Sequence, residues 1–173
     1  MAAAGLLVRP IRDDERPELG RVATETWGSP IVVSREVAHD VRVLPAVVAE
    51  DPESGRWLGV ASYRFEAGAC EVVQLLALER GRGVGSALLA TLASIARAGG
   101  AHRLWLTTTN DNLDAIRFYQ RGGFRFVWIW RDAVTRARKI KPEIPLVGEF
   151  GISITDEIEM ELALDSESVR GTL

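Results

Sequence analysis

Between Glu71 and Leu89 the chain passes from an apolar run of strand length, Glu71-Val72-Val73-Gln74-Leu75-Leu76-Ala77-Leu78, through Arg80-Gly81-Arg82-Gly83-Val84-Gly85 and straight into helical spacing. A strand that feeds a basic glycine loop and then a helix puts the free N–H groups of a helix N-terminus at the end of a sheet. The positive end of the helix dipole lies there too. Gly81, Gly83 and Gly85 carry no Cβ, so the backbone can curl closely and aim several amides at one point. Arg80 and Arg82 add fixed positive charge. The order predicts a pyrophosphate cradle made of Arg80, Gly81, Arg82, Gly83, Val84, Gly85 and Ser86. The loop lacks the Gly-Lys-Ser/Thr ending of a P-loop, and its glycines are not spaced as Gly-x-Gly-x-x-Gly. A plain glycine-rich turn before a helix is the competing reading.

The downstream sequence decides between them. Gly99-Gly100 stops the helix, Arg103-Leu104-Trp105-Leu106-Thr107-Thr108-Thr109 reads as a strand, and Asn110-Asp111-Asn112 opens a further helix. Arg80-x-x-Gly83-x-Gly85 resembles the acetyl-CoA loop of the GNAT acetyltransferase superfamily. Asn112-x-x-Ala115-x-x-Phe118-Tyr119-x-x-x-Gly123-Phe124 resembles that superfamily's second core motif. The two stand in order with one helix and one strand between them, and the resemblance covers Val72 to Val127. It implies an α/β (α+β) fold: a mixed, mostly antiparallel central sheet flanked by helices, its central strands splayed around the cofactor. The stretch Ala77-Leu78-Glu79-Arg80 is shorter than is usual in that family and has no proline, which implies a tighter turn.

By the same resemblance, acetyl-CoA is the cofactor, and the chain is an N-acetyltransferase that moves an acetyl group to a primary amine by direct attack. Asn112 is expected near the pantetheine arm, although Asn110, Asp111 and Asn112 all suit a helix N-cap. Tyr119 is the expected general acid and a further cofactor contact. A phenol with a pKa of about 10 is protonated at neutral pH and can donate to a thiolate whose acid lies near about 8.5. A half-buried core tyrosine using its hydroxyl as a polar handle is the other reading. Oxyanion donors are expected among the strand-end amides of Leu76, Ala77 and Leu78. An ammonium with a pKa of about 10.4 must lose a proton before it can attack. Glu71 is the expected base, with a solvated strand-edge acid as its alternative; Glu50 and Asp111 are weaker candidates. Cys70 reads as core.

Lys and Arg number 21 against 24 Asp and Glu, a net charge of −3 that disfavours a nucleic-acid partner. One cysteine excludes an internal disulfide and fits a reducing cytosol, so a cytoplasmic location is expected. Met1-Ala2-Ala3-Ala4-Gly5 lacks a basic leader region, no apolar run approaches membrane-spanning length, and two histidines give no zinc site. The expected partner is a small-molecule amine. A catalytically silent acyl-CoA-binding domain and a protein N-acetyltransferase are the alternatives.

Residues 1–173 read as a single domain. Strands are expected at Leu6–Pro10, Ala46–Glu50, Trp57–Phe65, Gly123–Trp130 and Glu157–Leu162, the last alternating strictly between charged and apolar. Asp13 or Asp14 is expected to cap a helix running to Trp27, and 31–43 is ambiguous. Between Trp130 and Ile158, where the family has little more than a turn, residues 131–156 form an insertion. Pro142 and Pro145 beside Ile144 and Leu146 argue that it is ordered, as an acceptor-site wall or as a contact in a homodimer.

Overall fold

The computed structural model describes residues 5–164; Met1–Ala4, where a leader would begin, lie outside it. Apolar runs buried on both faces build the central strands, and alternation of charged and apolar residues builds the last one. A seven-stranded sheet results, in the order β1-β4-β5-β6-β7-β9-β8. Its strands are β1 (Leu7–Pro10), β4 (Ala46–Glu50), β5 (Trp57–Glu66), β6 (Ala69–Ala77), β7 (Arg103–Thr109), β8 (Arg125–Trp130) and β9 (Glu157–Ala163). Every neighbouring pair is antiparallel except β6 and β7.

That exception creates the site. β6 and β7 pair only at Cys70↔Leu104 and Glu71↔Trp105, so the rest of both strands diverges. On its other side β6 carries a bulge: Ser62 faces Gln74 while Tyr63 faces Val72, leaving Val73 as the extra residue. A bulge bends and twists its strand, here at the point where β6 leaves β7.

Helices close both faces. The helix after the glycine loop, α2 (Val84–Ala98), presents Val84, Leu88, Leu92 and Ala96 at helical spacing to one face, where Tyr119 and Phe124 join them. The latter two belong to α3 (Leu113–Arg121) and the turn after it. The opposite face is covered by α1 (Arg16–Trp27), through Leu19, Val22 and Ala23. Neither Asp13 nor Asp14 caps α1. A single 3-10 turn intervenes, and the Glu15 carboxylate accepts the Arg12 amide at 2.8 Å.

The ambiguous segment is a hairpin outside the main sheet, β2 (Ile31–Ser34) with β3 (Val37–Asp40). Its turn residues Arg35 (φ 47°) and Glu36 (φ 63°) are left-handed without glycine, which removed the usual sequence signal. A short helix, α4 (Ala133–Ala137), opens the insertion. Strand β8 is an edge strand with Phe126, Trp128 and Ile129 each more than half exposed.

Candidate functional site

The divergence of β6 from β7 opens a cavity of about 490 Å³ that reaches both faces of the sheet. Tyr119 and Asn112 line it from the α2–α3 side. Trp27, Val32 and Ser34 line it from the α1 and β2 side, and Ile144 and Ile154 bring in the insertion. The strands that part are therefore the wall through which two ligands could meet.

On the α2 side the glycine loop leaves the N-terminus of the helix open. Gly81 (φ 81°) and Gly83 (φ 72°) are left-handed, and Gly83 caps α2 without a side chain. The amides of residues 80–86 donate to no acceptor among the described residues, and the first intrahelical bond of α2 runs from Ala87 to the Gly83 carbonyl. A helix end left this way is completed by a ligand or by solvent. Arg80 is exposed and has no ion pair among the described residues. Arg82 is committed elsewhere: it donates to Glu79 at 3.0 Å and to the Gly5 carbonyl at 3.2 Å. Arg56 also pairs with Glu79, and the two arginines together hold that carboxyl below the usual range. The amides of Leu78 and Glu79 both donate to the Leu58 carbonyl, at 2.8 and 3.2 Å, which holds the chain against β5 up to the loop.

Gly85 has a packing role besides its open amide. It lies inside α2, and an added Cβ would stand 2.9 Å from the Phe118 ring, so its bareness allows α2 and α3 to approach. The two glycines should respond differently to substitution. Gly83→Val adds bulk at the loop and about 1–2 kcal/mol of left-handed strain; coenzyme A affinity should fall sharply and the unliganded melting point only modestly. Gly85→Ala should lower the melting point through its clash with Phe118. Titration calorimetry and thermal melting of both variants check this. Unchanged affinity in Gly83→Val would reduce the loop to a turn.

Of the three expected strand-end amides, that of Ala77 alone points away from β5. Leu78 donates to Leu58, so antiparallel alternation also turns the Leu76 amide toward β5. The amides of Leu75 and Ala77 are the ones that face the gap.

Tyr119 is buried, and its ring packs on Phe118 and Phe124 with centroids 5.3 and 5.7 Å apart. Its hydroxyl makes no hydrogen bond with another described residue, and burial pushes its pKa up to about 12. The residue lines the cavity as a protonated donor.

Glu71 is not a solvated edge acid. It is 1% exposed, accepting Ser34 Oγ at 2.7 Å on one oxygen and Arg64 Nε at 2.6 Å on the other. It is absent from the cavity lining, where Ser34 stands in front of it. Both oxygens are occupied, so Glu71 anchors β2 to β6. Glu50 is likewise held in an ion pair, by Arg9 at 2.6 Å.

Of the two glutamates that line the cavity, Glu143 and Glu157, the buried one is Glu157, at the start of β9. It is 4% exposed and accepts the Arg35 amide at 2.8 Å. Burial is the main cause of its raised pKa. The Arg35 guanidinium itself lies over the Trp105 ring, 4.2 Å from its centroid, and so fixes the hairpin turn that carries this amide. In the sequence Glu157 is one of three alternating glutamates, and only β9 pairing at Thr109 singles it out.

Asn112 caps α3, its Oδ1 accepting the Ala115 amide at 3.3 Å, and it also lines the cavity. Its two neighbours do not cap; they bind the insertion. Asn110 Oδ1 accepts the amides of Thr155 and Asp156, both at 3.0 Å, and Asp111 accepts the Glu149 amide at 3.0 Å. Asp111 is therefore structural. Arg138 ties the middle, donating to the Ile144 carbonyl at 3.1 Å and the Ile154 carbonyl at 2.7 Å. Lys141, 7% exposed, reaches the Ile31 carbonyl at 2.8 Å, and burial lowers its pKa. Cys70 is fully buried, its pKa pushed up to about 11 by that burial, and is core as expected. Among the described residues no acidic, histidine or cysteine group could hold a metal ion, and no helix is long and apolar enough to cross a membrane.

A sheet split beside a glycine-loop helix N-terminus, with a tyrosine from the next helix lining the split, is an arrangement that fits an acyl-CoA-type acyltransferase. The model of the acetyltransferase (GNAT) family matches residues 10–124, and the chain belongs to that family. The uncharacterized protein YdhI of Bacillus subtilis (strain 168) is 37% identical over 139 residues, covering 80% of this chain and 86% of its own. Streptothricin acetyltransferase of Streptomyces lavendulae is 36% identical over 91 residues, 50% of this chain and 46% of that protein. Among solved structures, the IAA acetyltransferase from Bacillus cereus superposes with a TM-score of 0.71 at 21% identity, over 91% of this chain and 99% of that one. A Bacillus subtilis acetyltransferase in complex with CoA superposes at 0.65 and 19% identity, over 91% and 98%. The chain is an acetyltransferase, and acetyl-CoA is the cofactor of its family. The amides of residues 80–86 and Arg80, without partners among the described residues, fit that cofactor.

Proposed function

We propose that this protein N-acetylates a small-molecule primary amine, with cofactor and acceptor entering the split sheet from opposite faces. The observation that carries the proposal is the cavity lined both by Tyr119 on the glycine-loop side and by the insertion on the other. Its volume of about 490 Å³ suits a small molecule. One lysine and two glutamates, Lys141, Glu143 and Glu157, are the charged residues of the lining, a balance that favours a cationic amine.

Acetyl-CoA supplies the acetyl group as an activated thioester. Residues 80–86 bind its phosphates through amides and Arg80, at roughly 1.5–3 kcal/mol for each charge-assisted hydrogen bond. Glu157, its basicity raised by burial, takes a proton from the incoming ammonium. The Leu75 and Ala77 amides donate to the carbonyl oxygen as negative charge develops on it. Tyr119 Oη holds the proton that the departing sulfur needs. Asn112 fixes the start of α3 and so the place of Tyr119. A cytoplasmic setting fits this chemistry. The exposed apolar edge of β8 supports the homodimer reading better than the insertion does.

Two measurements test this. Acetyl-CoA at about a hundred times its dissociation constant should add about 2.7 kcal/mol of stability, read as a raised melting point; no shift at millimolar ligand would remove the cofactor from the proposal. Thiol release should appear with members of a small-amine panel. A shift without turnover on any amine or peptide N-terminus would favour a silent acyl-CoA-binding domain.

A further inference from the structure

Gln74 is a buried polar side chain that the acetyl-transfer chemistry leaves unused. It is 2% exposed and lines the cavity, yet neither Oε1 nor Nε2 has a hydrogen-bond partner among the described residues. Buried amides are almost always paired, because an unpaired one forfeits its hydration for nothing. Its position explains the exception. Leu76, two residues on and therefore on the same side of β6, packs with the α1 cluster of Leu19 and Val22. Gln74 thus projects toward the acceptor face, immediately after the Val73 bulge and inside the unpaired part of β6. Ser62, directly across the ladder, also has an unpartnered hydroxyl, but Gln74 does not bond to it.

On this observation, and resting on the acetyl-transfer reading above, we infer that the acceptor amine also carries a neutral amide group, a carboxamide or carbamoyl, which pairs with Gln74. A primary amide presents one acceptor and one donor edge-on, the complement of what Oε1 and Nε2 offer. A carboxylate would face no donor for its second charge-bearing oxygen at Gln74, and the lining's one lysine, Lys141, is bound to the Ile31 carbonyl. An alkyl group would leave both Gln74 atoms unsatisfied. A site of that kind rejects a ligand that lacks the hydrogen-bonding group. The surrounding Val32, Val33 and Ile154 would cover the alkyl part of the acceptor.

The test compares amines of one shape in the acetyl-CoA-loaded enzyme: 3-aminopropanamide and its longer homologues, the apolar isostere 3-methylbutylamine with matching homologues, and the corresponding amino acids. Wild type should prefer the carboxamides over the isosteres by roughly ten- to a hundredfold in kcat/KM, the worth of two hydrogen bonds. In Gln74→Met, which keeps the volume and removes the amide, that preference should collapse. Thermal melting establishes that the variant is folded. Turnover without carboxamide preference, or a preference unchanged in Gln74→Met, would overturn the inference while leaving acetyl transfer intact. In that case a buried water satisfies Gln74 and Ser62, and the variant alters only the melting point. Calorimetric binding of the same amines separates the two readings: carboxamide-selective binding that depends on Gln74, without turnover, would uphold the inference and sink acetyl transfer to that amine.

Discussion

Tyr119→Phe should lower turnover by roughly 10²–10⁴-fold, the usual contribution of a positioned general acid, while acetyl-CoA affinity barely changes. The substitution keeps the ring that packs between Phe118 and Phe124 and deletes only the hydroxyl. Because that hydroxyl bonds to no other described residue, its loss leaves no protein group unpaired. Stability should therefore stay near wild type. A tyrosine that served only the fold would show the reverse, unchanged kinetics with a loss of roughly 0.5–1.5 kcal/mol. With its pKa raised to about 12, Tyr119 stays protonated throughout the working range. The alkaline limb of the rate profile should come from other groups below that value. Steady-state rates with a responsive amine, beside calorimetric titration of acetyl-CoA, decide between these outcomes.

Glu157→Gln should cost a comparable factor, roughly 10²–10⁴-fold in kcat/KM, because it removes a proton acceptor from the cavity and leaves its shape. The amide oxygen can still receive the Arg35 N–H, so the hairpin should hold. The pH profile carries the sign. A base works deprotonated, and burial raises the Glu157 pKa, so wild-type kcat/KM should rise with pH through an inflection above the ordinary carboxylate range. That limb should vanish in the glutamine variant. Stability should move in the opposite direction. A carboxyl with a raised folded-state pKa stabilises most below its unfolded value, and that contribution is lost as pH rises through the folded one. At neutral pH the ionised buried group is therefore a burden, and Glu157→Gln should melt at or above the wild-type temperature. A variant with full activity would return the base to another group. The matching Glu71→Gln change should instead act through stability, since it weakens the Arg64 pair and the link to Ser34.

The fold was legible where local chemistry decides it. The glycine loop, the helical face of α2 and the strict alternation of β9 each announce their element without help from distant residues. The β2–β3 hairpin escaped because Arg35 and Glu36 occupy left-handed positions that glycine or asparagine would have advertised. The site was legible as motif and not as geometry. Tyr119 and the loop are singled out by their resemblance to the family's motifs, but which strand-end amides face the gap depends on the ladder phase set by Leu78 and Leu58. Glu71 and Glu157 are chemically alike in the sequence. Only the tertiary structure gives one an arginine and a serine and leaves the other facing the cavity. Gln74 carries no motif at all, because being unpartnered is a property of surroundings.

The way the insertion is fastened has a practical consequence. Asn110 and Asp111 grip it from the loop that begins α3, and Arg138 braces it from within. A segment clamped at such defined points is a natural cassette. Exchanging the residues between these anchors, with Asn110, Asp111, Arg138 and their bonds retained, offers a route to reshape the cavity wall without rebuilding the rest of the fold.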